Sequence, residues 1–219
     1  MIKAVLFDMD GTILDTEAIH KKCWEKAMGE VGINYTPCTF YDLIGLNDES
    51  TCKYLKSNFL ITDEIYNKMS VNAYFYAEEY VIKNGITVKK GFFELSDFIE
   101  CKNLKTAVVT SSVRRVAENN FKLAEINRPF DAIIGGDCVT NGKPDAEPYT
   151  KASKALGVSK EECLAIEDSA NGVKSAYAAG IKCVYIKDMV DIPDDVKALA
   201  EYKSESLDKI IDIIQKINQ

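Results

Sequence analysis

Ile2-Lys3-Ala4-Val5-Leu6-Phe7-Asp8-Met9-Asp10-Gly11-Thr12 joins an apolar run directly to a loop with two acids and a glycine. A run of this length without polar alternation suits a strand covered on both faces, as in a parallel sheet. Four similar runs follow: Thr106–Thr110 (TAVVT), Ala132–Gly135 (AIIG), Leu164–Glu167 (LAIE) and Lys182–Ile186 (KCVYI). Helical patterns separate them. Ser112–Leu123 follows the second run. Glu147–Leu156 follows the third, with Pro148 in its first turn and Gly157 past its end. Ala170–Ala179 follows the fourth and stops at Gly180, and Ser206–Ile217 carries a helical apolar stripe. Repeated strand–helix order predicts an α/β, Rossmann-like, doubly wound parallel sheet.

One interval breaks the alternation. Thr16–Val31, Asp48–Phe59 and Thr62–Asn84 all read as helices, and Thr39-Phe40-Tyr41-Asp42 has the form of a capping box before a short helix closed by Gly45. The expected organisation is a core of residues 1–15 and 86–219, with an inserted α-helical cap of residues 16–85. The linkers would be Leu14–Thr16 and Gly85–Lys90.

Composition narrows the partners. The chain has 219 residues, with 27 Lys+Arg against 34 Asp+Glu, a formal charge of −7. That field has the wrong sign for a nucleic-acid partner. No apolar run reaches the roughly 18 residues that span a bilayer, so no membrane partner is expected. Seven widely spaced cysteines with no C-x-x-C pair argue against a disulfide framework or a thiolate zinc site. Reduced thiols and the early acids at Asp8 and Asp10 together predict a cytoplasmic protein. Monomer is the default expectation.

Four short elements carry chemistry, and each has a bland reading beside the functional one. Asp8-Met9-Asp10-Gly11-Thr12 sits at the carboxyl end of the first strand, where open parallel sheets bind ligands; it also suits an ordinary polar turn. Glu167-Asp168 ends another strand. If these carboxylates meet Asp8 and Asp10 in a dry site, they need a cation or shifted pKa values. Hard oxygen donors favour Mg²⁺; a solvated acidic loop is the alternative. Thr110-Ser111-Ser112 joins a strand to a helix and offers an anion seat or merely an N-cap. Lys143, beside Gly142 and Pro144, could neutralise a phosphoryl oxygen or stand as an exposed loop lysine.

The order and placement of Asp8–Thr12, Thr110, Lys143 and Glu167-Asp168 resemble the haloacid dehalogenase-like superfamily over the whole chain. The inserted helices are similar to the cap of its subgroup that includes β-phosphoglucomutase and small-metabolite phosphatases. The resemblance implies that Asp8 attacks phosphorus to form an aspartyl-phosphate and that Asp10 is the acid and base. It implies Mg²⁺ held by the Asp8 carboxylate, the Asp10 carbonyl and Asp168, with Glu167 a ligand through water or a support for the ligands. Thr110, the N–H of Ser111 and Lys143 would hold the transferring oxygens. In the cap and its surroundings, Thr16, His20, Asn47, Asp48 and Arg114 are the expected substrate contacts.

Three activities on this plan can be separated. A Mg²⁺-dependent phosphatase of a small phosphorylated metabolite, a sugar phosphate among the options, fits the residues best. A β-phosphoglucomutase-like mutase would need basic cap residues. The loop Ile44–Glu49 is acidic instead, and Arg114, Arg115 and Arg128 all lie outside residues 16–85. A metal-independent haloacid dehalogenase needs neither Asp10 nor the Glu167-Asp168 pair. A non-catalytic binding protein would be expected to lack Asp8, Asp10 or Lys143.

Overall fold

The computed structural model describes the chain except residues 37, 40–42, 44–47 and 129, together with the side chains of Asp48 and Ser50. Strand β1 is Ala4–Phe7. Helices α1 (Glu17–Glu30), α2 (Asp48–Phe59) and α3 (Asp63–Asn84) follow before the chain returns to the sheet region. The sheet region then runs α4 (Phe92–Cys101), β2 (Lys105–Val109), α5 (Arg114–Leu123), β3 (Ala132–Ile134) and α6 (Glu147–Leu156). It ends with β4 (Cys163–Glu167), α7 (Ala170–Ala178), β5 (Lys182–Ile186), α8 (Asp194–Lys197), β6 (Tyr202–Ser204) and α9 (Ile210–Asn218).

All the strand pairs are parallel, in the order β3-β2-β1-β4-β5-β6. This is the predicted doubly wound sheet. Connections leave β1 in opposite directions, so the topological switch point lies between β1 and β4. Phe7 is level with Val108 of β2 and Ile166 of β4. Asp8, Glu167 and Thr110 therefore leave the same edge of the sheet.

Side-chain alternation explains the unbroken apolar strands. Val5, Phe7, Val108, Leu164, Ile166, Val184 and Ile186 point into one apolar layer, with Phe92, Leu95, Phe121, Ile210 and Ile214 from α4, α5 and α9. Ala4, Leu6, Ala107, Val109, Ala165, Cys163 and Cys183 face the other, with Tyr149, Ala152, Leu156, Val173 and Ala176 from α6 and α7. Both faces are dry, so neither tolerates polar residues. All seven cysteines are free. Cys163 and Cys183 serve as small core residues, whereas Cys38 and Cys101 are exposed.

Three elements were not expected from the sequence, among them α8, a single turn of four residues. Helix α4 is amphipathic and buries Phe92, Leu95 and Ile99. Strand β6 has only three residues, none fully buried, and carries no apolar run. Helix α5 begins at Arg114, not Ser112, and α9 begins at Ile210, not Ser206. Helix α2 has the expected limits, and Thr62 caps α3 by accepting from the Ile65 N–H at 3.3 Å. Most of the short helix expected from Thr39 to Gly45 lies outside the described residues.

Helices α1 to α3 have their own apolar cluster, built on Ala27, Met28, Leu55, Tyr66, Met69 and Ala73. Two chain segments, both at residues expected to be linkers, tie them to the sheet. Leu14 and Val88 form an antiparallel bridge. The Asp15 N–H donates to the Thr87 carbonyl at 2.9 Å, and the Lys89 N–H donates to the Ile13 carbonyl at 2.8 Å. Ile19, Cys23, Val81 and Ile86, at the near ends of α1 and α3, join the sheet's own cluster.

Candidate active site

Asp8 leaves β1 with its N–H still bonded to the Ile166 carbonyl at 2.9 Å, so the sheet ladder fixes its backbone. The chain then turns tightly: Ile13 and Leu14 N–H groups both donate to the Met9 carbonyl at 2.9 Å. Gly11 makes the turn possible in two ways. Its φ is +81°, and a Cβ there would lie 2.3 Å from Asp168 Oδ2. The bare backbone lets the acids of β1 and β4 approach.

Lys143 is the hub. It is 6% exposed, so the exposed loop lysine is corrected: the side chain runs inward from the loop before α6. Its Nζ donates to Asp8 Oδ1 at 2.5 Å, to Glu167 Oε1 at 2.5 Å and to the Val109 carbonyl at 2.8 Å. An ammonium has three protons, and all three are used. Burial pulls Lys143 towards neutrality, but Asp8 and Glu167 outweigh it and hold it protonated.

Glu167 is fully buried. Oε1 also accepts from Tyr149 Oη at 2.7 Å, and Oε2 accepts from Ser169 Oγ at 3.2 Å. Ser169 in turn caps α7 by accepting from the Gly172 N–H at 3.0 Å. A Cβ on Gly172 would fall 1.9 to 2.0 Å from the Glu167 carboxyl atoms, so the glycine is needed for the carboxylate to fit. Both Glu167 oxygens already accept hydrogen bonds, Oε1 from Lys143 and Tyr149 and Oε2 from Ser169.

Asp8, Glu167 and Asp168 offer carboxylate oxygens within 4.8 Å of one another. Burial, then the neighbouring acids, pushes the Asp168 carboxyl well above its usual range. Burial does the same to Asp8 despite the opposing pull of Lys143. One lysine does not balance this cluster, so the donor set fits a hard divalent cation. Thr12 Oγ1 donates to Asp168 Oδ1 at 3.2 Å and helps to orient it.

Asp10 faces the other way, towards a collar of hydroxyls. Thr16 Oγ1 donates to Oδ1 at 2.7 Å, Ser112 Oγ to Oδ2 at 3.1 Å, and Thr110 Oγ1 to Oδ2 at 3.4 Å. Thr16 begins α1, whereas Thr110 and Ser112 follow β2. Asp10 thus joins the helical insertion to the loop expected to seat an anion. That loop is not a capped helix end: Val113 precedes α5 without a side-chain cap, and the Arg114 N–H donates to Asp137 Oδ1 at 2.8 Å.

These groups open into a cavity of about 820 Å³. Asp8, Asp10, Thr110, Ser111, Lys143 and Asp168 lie on the sheet side, with Thr16 and His20 on the side of α1. Trp24, Tyr35 and Tyr74 give the helical side an aromatic wall. Arg114 is a correction. Its guanidinium pairs with Glu118 at 2.9 Å, and Arg115 reaches the cavity instead. One residue changes the direction by about 100° on a helix, which sequence spacing alone did not resolve. Asn47 lies outside the described residues, as does the Asp48 side chain.

Several cavity residues escaped the sequence reading. Asp188, two positions beyond β5, obeys the same strand-end rule that singled out Asp8 and Asp168. Glu17 adjoins Thr16, and burial, aided by Asp10 and Asp188, pushes its carboxyl up to about 7. Outside the cavity, Tyr149 lies within the helix expected over Glu147–Leu156, and only the fold brings its hydroxyl to Glu167.

Residues 5–186 match the family model described as haloacid dehalogenase-like hydrolase. The chain is 30% identical, over 219 residues, to a phosphorylated carbohydrates phosphatase of Thermotoga maritima, covering 100% of this chain and 99% of that protein. It is 27% identical over 187 residues to a fructose-1-phosphate phosphatase of Escherichia coli, covering 84% and 95%. Among solved structures, a β-phosphoglucomutase from Clostridium difficile superposes with a TM-score of 0.83 at 24% identity, over 99% of this chain and 96% of that one. Among the described residues, no helix is long and apolar enough to cross a membrane.

Proposed function

Since the chain belongs to the haloacid dehalogenase-like hydrolase family, we propose that it is a Mg²⁺-dependent phosphatase of a small phosphorylated metabolite, in the sugar-phosphate class. The observation that carries the reading is Lys143, buried between Asp8 and Glu167 at the switch point of the sheet. The names of the Thermotoga and Escherichia relatives support the substrate class.

Asp8 is the nucleophile. An Asp8 oxygen forms a bond to phosphorus as the bond to the ester oxygen breaks, which gives an aspartyl-phosphate and a free alcohol. Asp10 delivers a proton to the departing oxygen. It then takes a proton from the water that attacks the aspartyl-phosphate, and Asp8 is released with inorganic phosphate. The hydroxyls of Thr16 and Ser112 hold Asp10 where both transfers can occur, which leaves the single Thr110 proton for the substrate. Lys143 fixes one Asp8 oxygen, and Thr110 and the Ser111 N–H receive the transferring oxygens. Such donors are worth about 3 kcal/mol each when aimed at developing charge.

Asp8, the Asp10 carbonyl and Asp168 would hold Mg²⁺, with Glu167 supporting them through Lys143. The bound ion supplies charge that lets an anionic nucleophile meet an anionic phosphate. Residues 16–85 act as a cap that excludes water and selects the leaving group through Thr16, His20, Asn47 and Asp48. A cytoplasmic monomer is the working form.

A panel of phosphorylated metabolites, assayed for phosphate release with and without a chelator, tests the reading. Sugar phosphates should be hydrolysed only with Mg²⁺. Hydrolysis that survives chelation overturns the metal assignment. Conversion of β-glucose 1-phosphate to the 6-phosphate without phosphate release overturns the phosphatase in favour of the mutase.

A further inference from the structure

Asp188 is a buried acid that the reaction above does not use. Its side chain is 6% exposed. Oδ1 is paired with the Lys89 ammonium. Oδ2 is also buried, yet no hydrogen bond reaches it. A buried carboxylate oxygen without a donor is costly. Such an atom persists where something absent from the bare protein satisfies it.

The position of Oδ2 indicates what that partner is. The point where a Gly11 Cβ would stand lies 2.3 Å from Asp168 Oδ2 and 3.1 Å from Asp188 Oδ2. The bare oxygen therefore lies near a carboxylate oxygen of Asp168, beside the Gly11 backbone. Its other oxygen is tied down by Lys89, whose N–H is bonded to the Ile13 carbonyl in the linker pair. Asp188 is anchored at one oxygen and unpartnered at the other.

We propose that Asp188 is a positioning residue for the divalent cation, its Oδ2 accepting a hydrogen bond from a water carried by that ion. Bound Mg²⁺ usually keeps several waters, and each water presents protons that must find acceptors. Supporting acceptors of this kind commonly govern metal affinity by 10- to 100-fold. Lys89 orients the acceptor, so the second linker of the insertion also contributes to the ion's surroundings. This inference rests on the Mg²⁺ reading of the previous subsection.

The test is calorimetric titration of MgCl₂ into the substrate-free protein, using wild type and Asp188→Asn. The amide keeps the shape but has one oxygen for two duties, so one side loses its acceptor. Mg²⁺ affinity should fall fivefold or more. The Mg²⁺ concentration giving half-maximal phosphate release should rise in step, with kcat largely restored at saturating Mg²⁺. Equal Mg²⁺ affinity, or a loss under fivefold, overturns the role of Asp188 while leaving the metal reading intact. Wild-type protein that binds no Mg²⁺ and hydrolyses phosphate esters in chelator overturns both. Asp188→Ser, carried in parallel, must show the same fivefold loss if the amide variant fails to fold.

Discussion

The edge of the sheet and the inserted helices hold themselves together by different means. At the edge, Lys143 spends three protons on three buried acceptors, and Glu167 collects donors from Lys143, Tyr149 and Ser169. Distances there are set by directional bonds in a dry place, where an unmet group is expensive. Within the insertion, Met28, Leu55, Met69 and Ala73 pack as apolar side chains. Its ion pairs, such as Lys53 with Glu49 and Lys56 with Asp63, lie at the surface, where solvent screens them. Apolar packing of this kind accepts volume-conserving change, whereas a polar network does not. The difference suits a fixed reaction centre beneath a surface that can vary with the substrate.

Breaking the edge should have the largest effect. Asp8→Asn keeps the volume and removes the proposed nucleophile, so steady-state phosphate release should drop to background; near-normal turnover would sink the assignment of Asp8. Gly172→Ala comes next, although this position faces no substrate. Its new Cβ collides with Glu167, which shifts Lys143 and hence Asp8. A displacement of about 1 Å at reacting groups costs on the order of 10²-fold in rate. Purified Gly172→Ala with unchanged kcat would show that the Glu167 network is not geometrically tight.

Changes on the insertion should be milder. His20→Ala removes a cavity-lining side chain to which the proposed reaction gives no chemical step. We expect kcat/KM to change by about tenfold or less, roughly 1.4 kcal/mol, with the ranking of substrates altered. A thousandfold loss in kcat on every substrate would move His20 into the reaction itself.

Glu17 lies at the border of the two regions and gives the smallest signal. Its carboxyl is raised from 4.5 to about 7. The native state therefore keeps a proton that the unfolded chain has already lost. By linkage, metal-free stability falls as pH rises from about 4.5 to 7 and levels off above that window. Denaturant midpoints measured across this range should decline in wild type and flatten in Glu17→Gln. Identical slopes in both proteins would assign the decline to other groups.

Much of this was legible in the chain because local signals and global burial agree. Strand β5 and helix α6 have the limits that their residues predict. Asp8, Thr110 and Asp168 could be placed together because parallel strands deliver their carboxyl ends to one edge. The elements that escaped lack such agreement. Strand β6 has three residues and no apolar run, and it exists because Val184, Tyr185 and Ile186 offer it an open edge. Arg114 and Arg115 are indistinguishable by spacing until α5 is docked and its first turn is fixed.

By itself, the sequence determined the class of fold, the order of its motifs and which groups are candidates for the reaction. Those follow from periodicity and from side-chain chemistry, which are local properties. Only the tertiary structure decided the partners: Lys143 between two carboxylates, Asp10 collared from both regions, Gly172 beneath Glu167, and Asp168 and Asp188 brought together beside Gly11. These contacts join residues up to 135 positions apart. No local pattern encodes such a distance, because it is fixed when the packed layers close and each buried polar group must find its match.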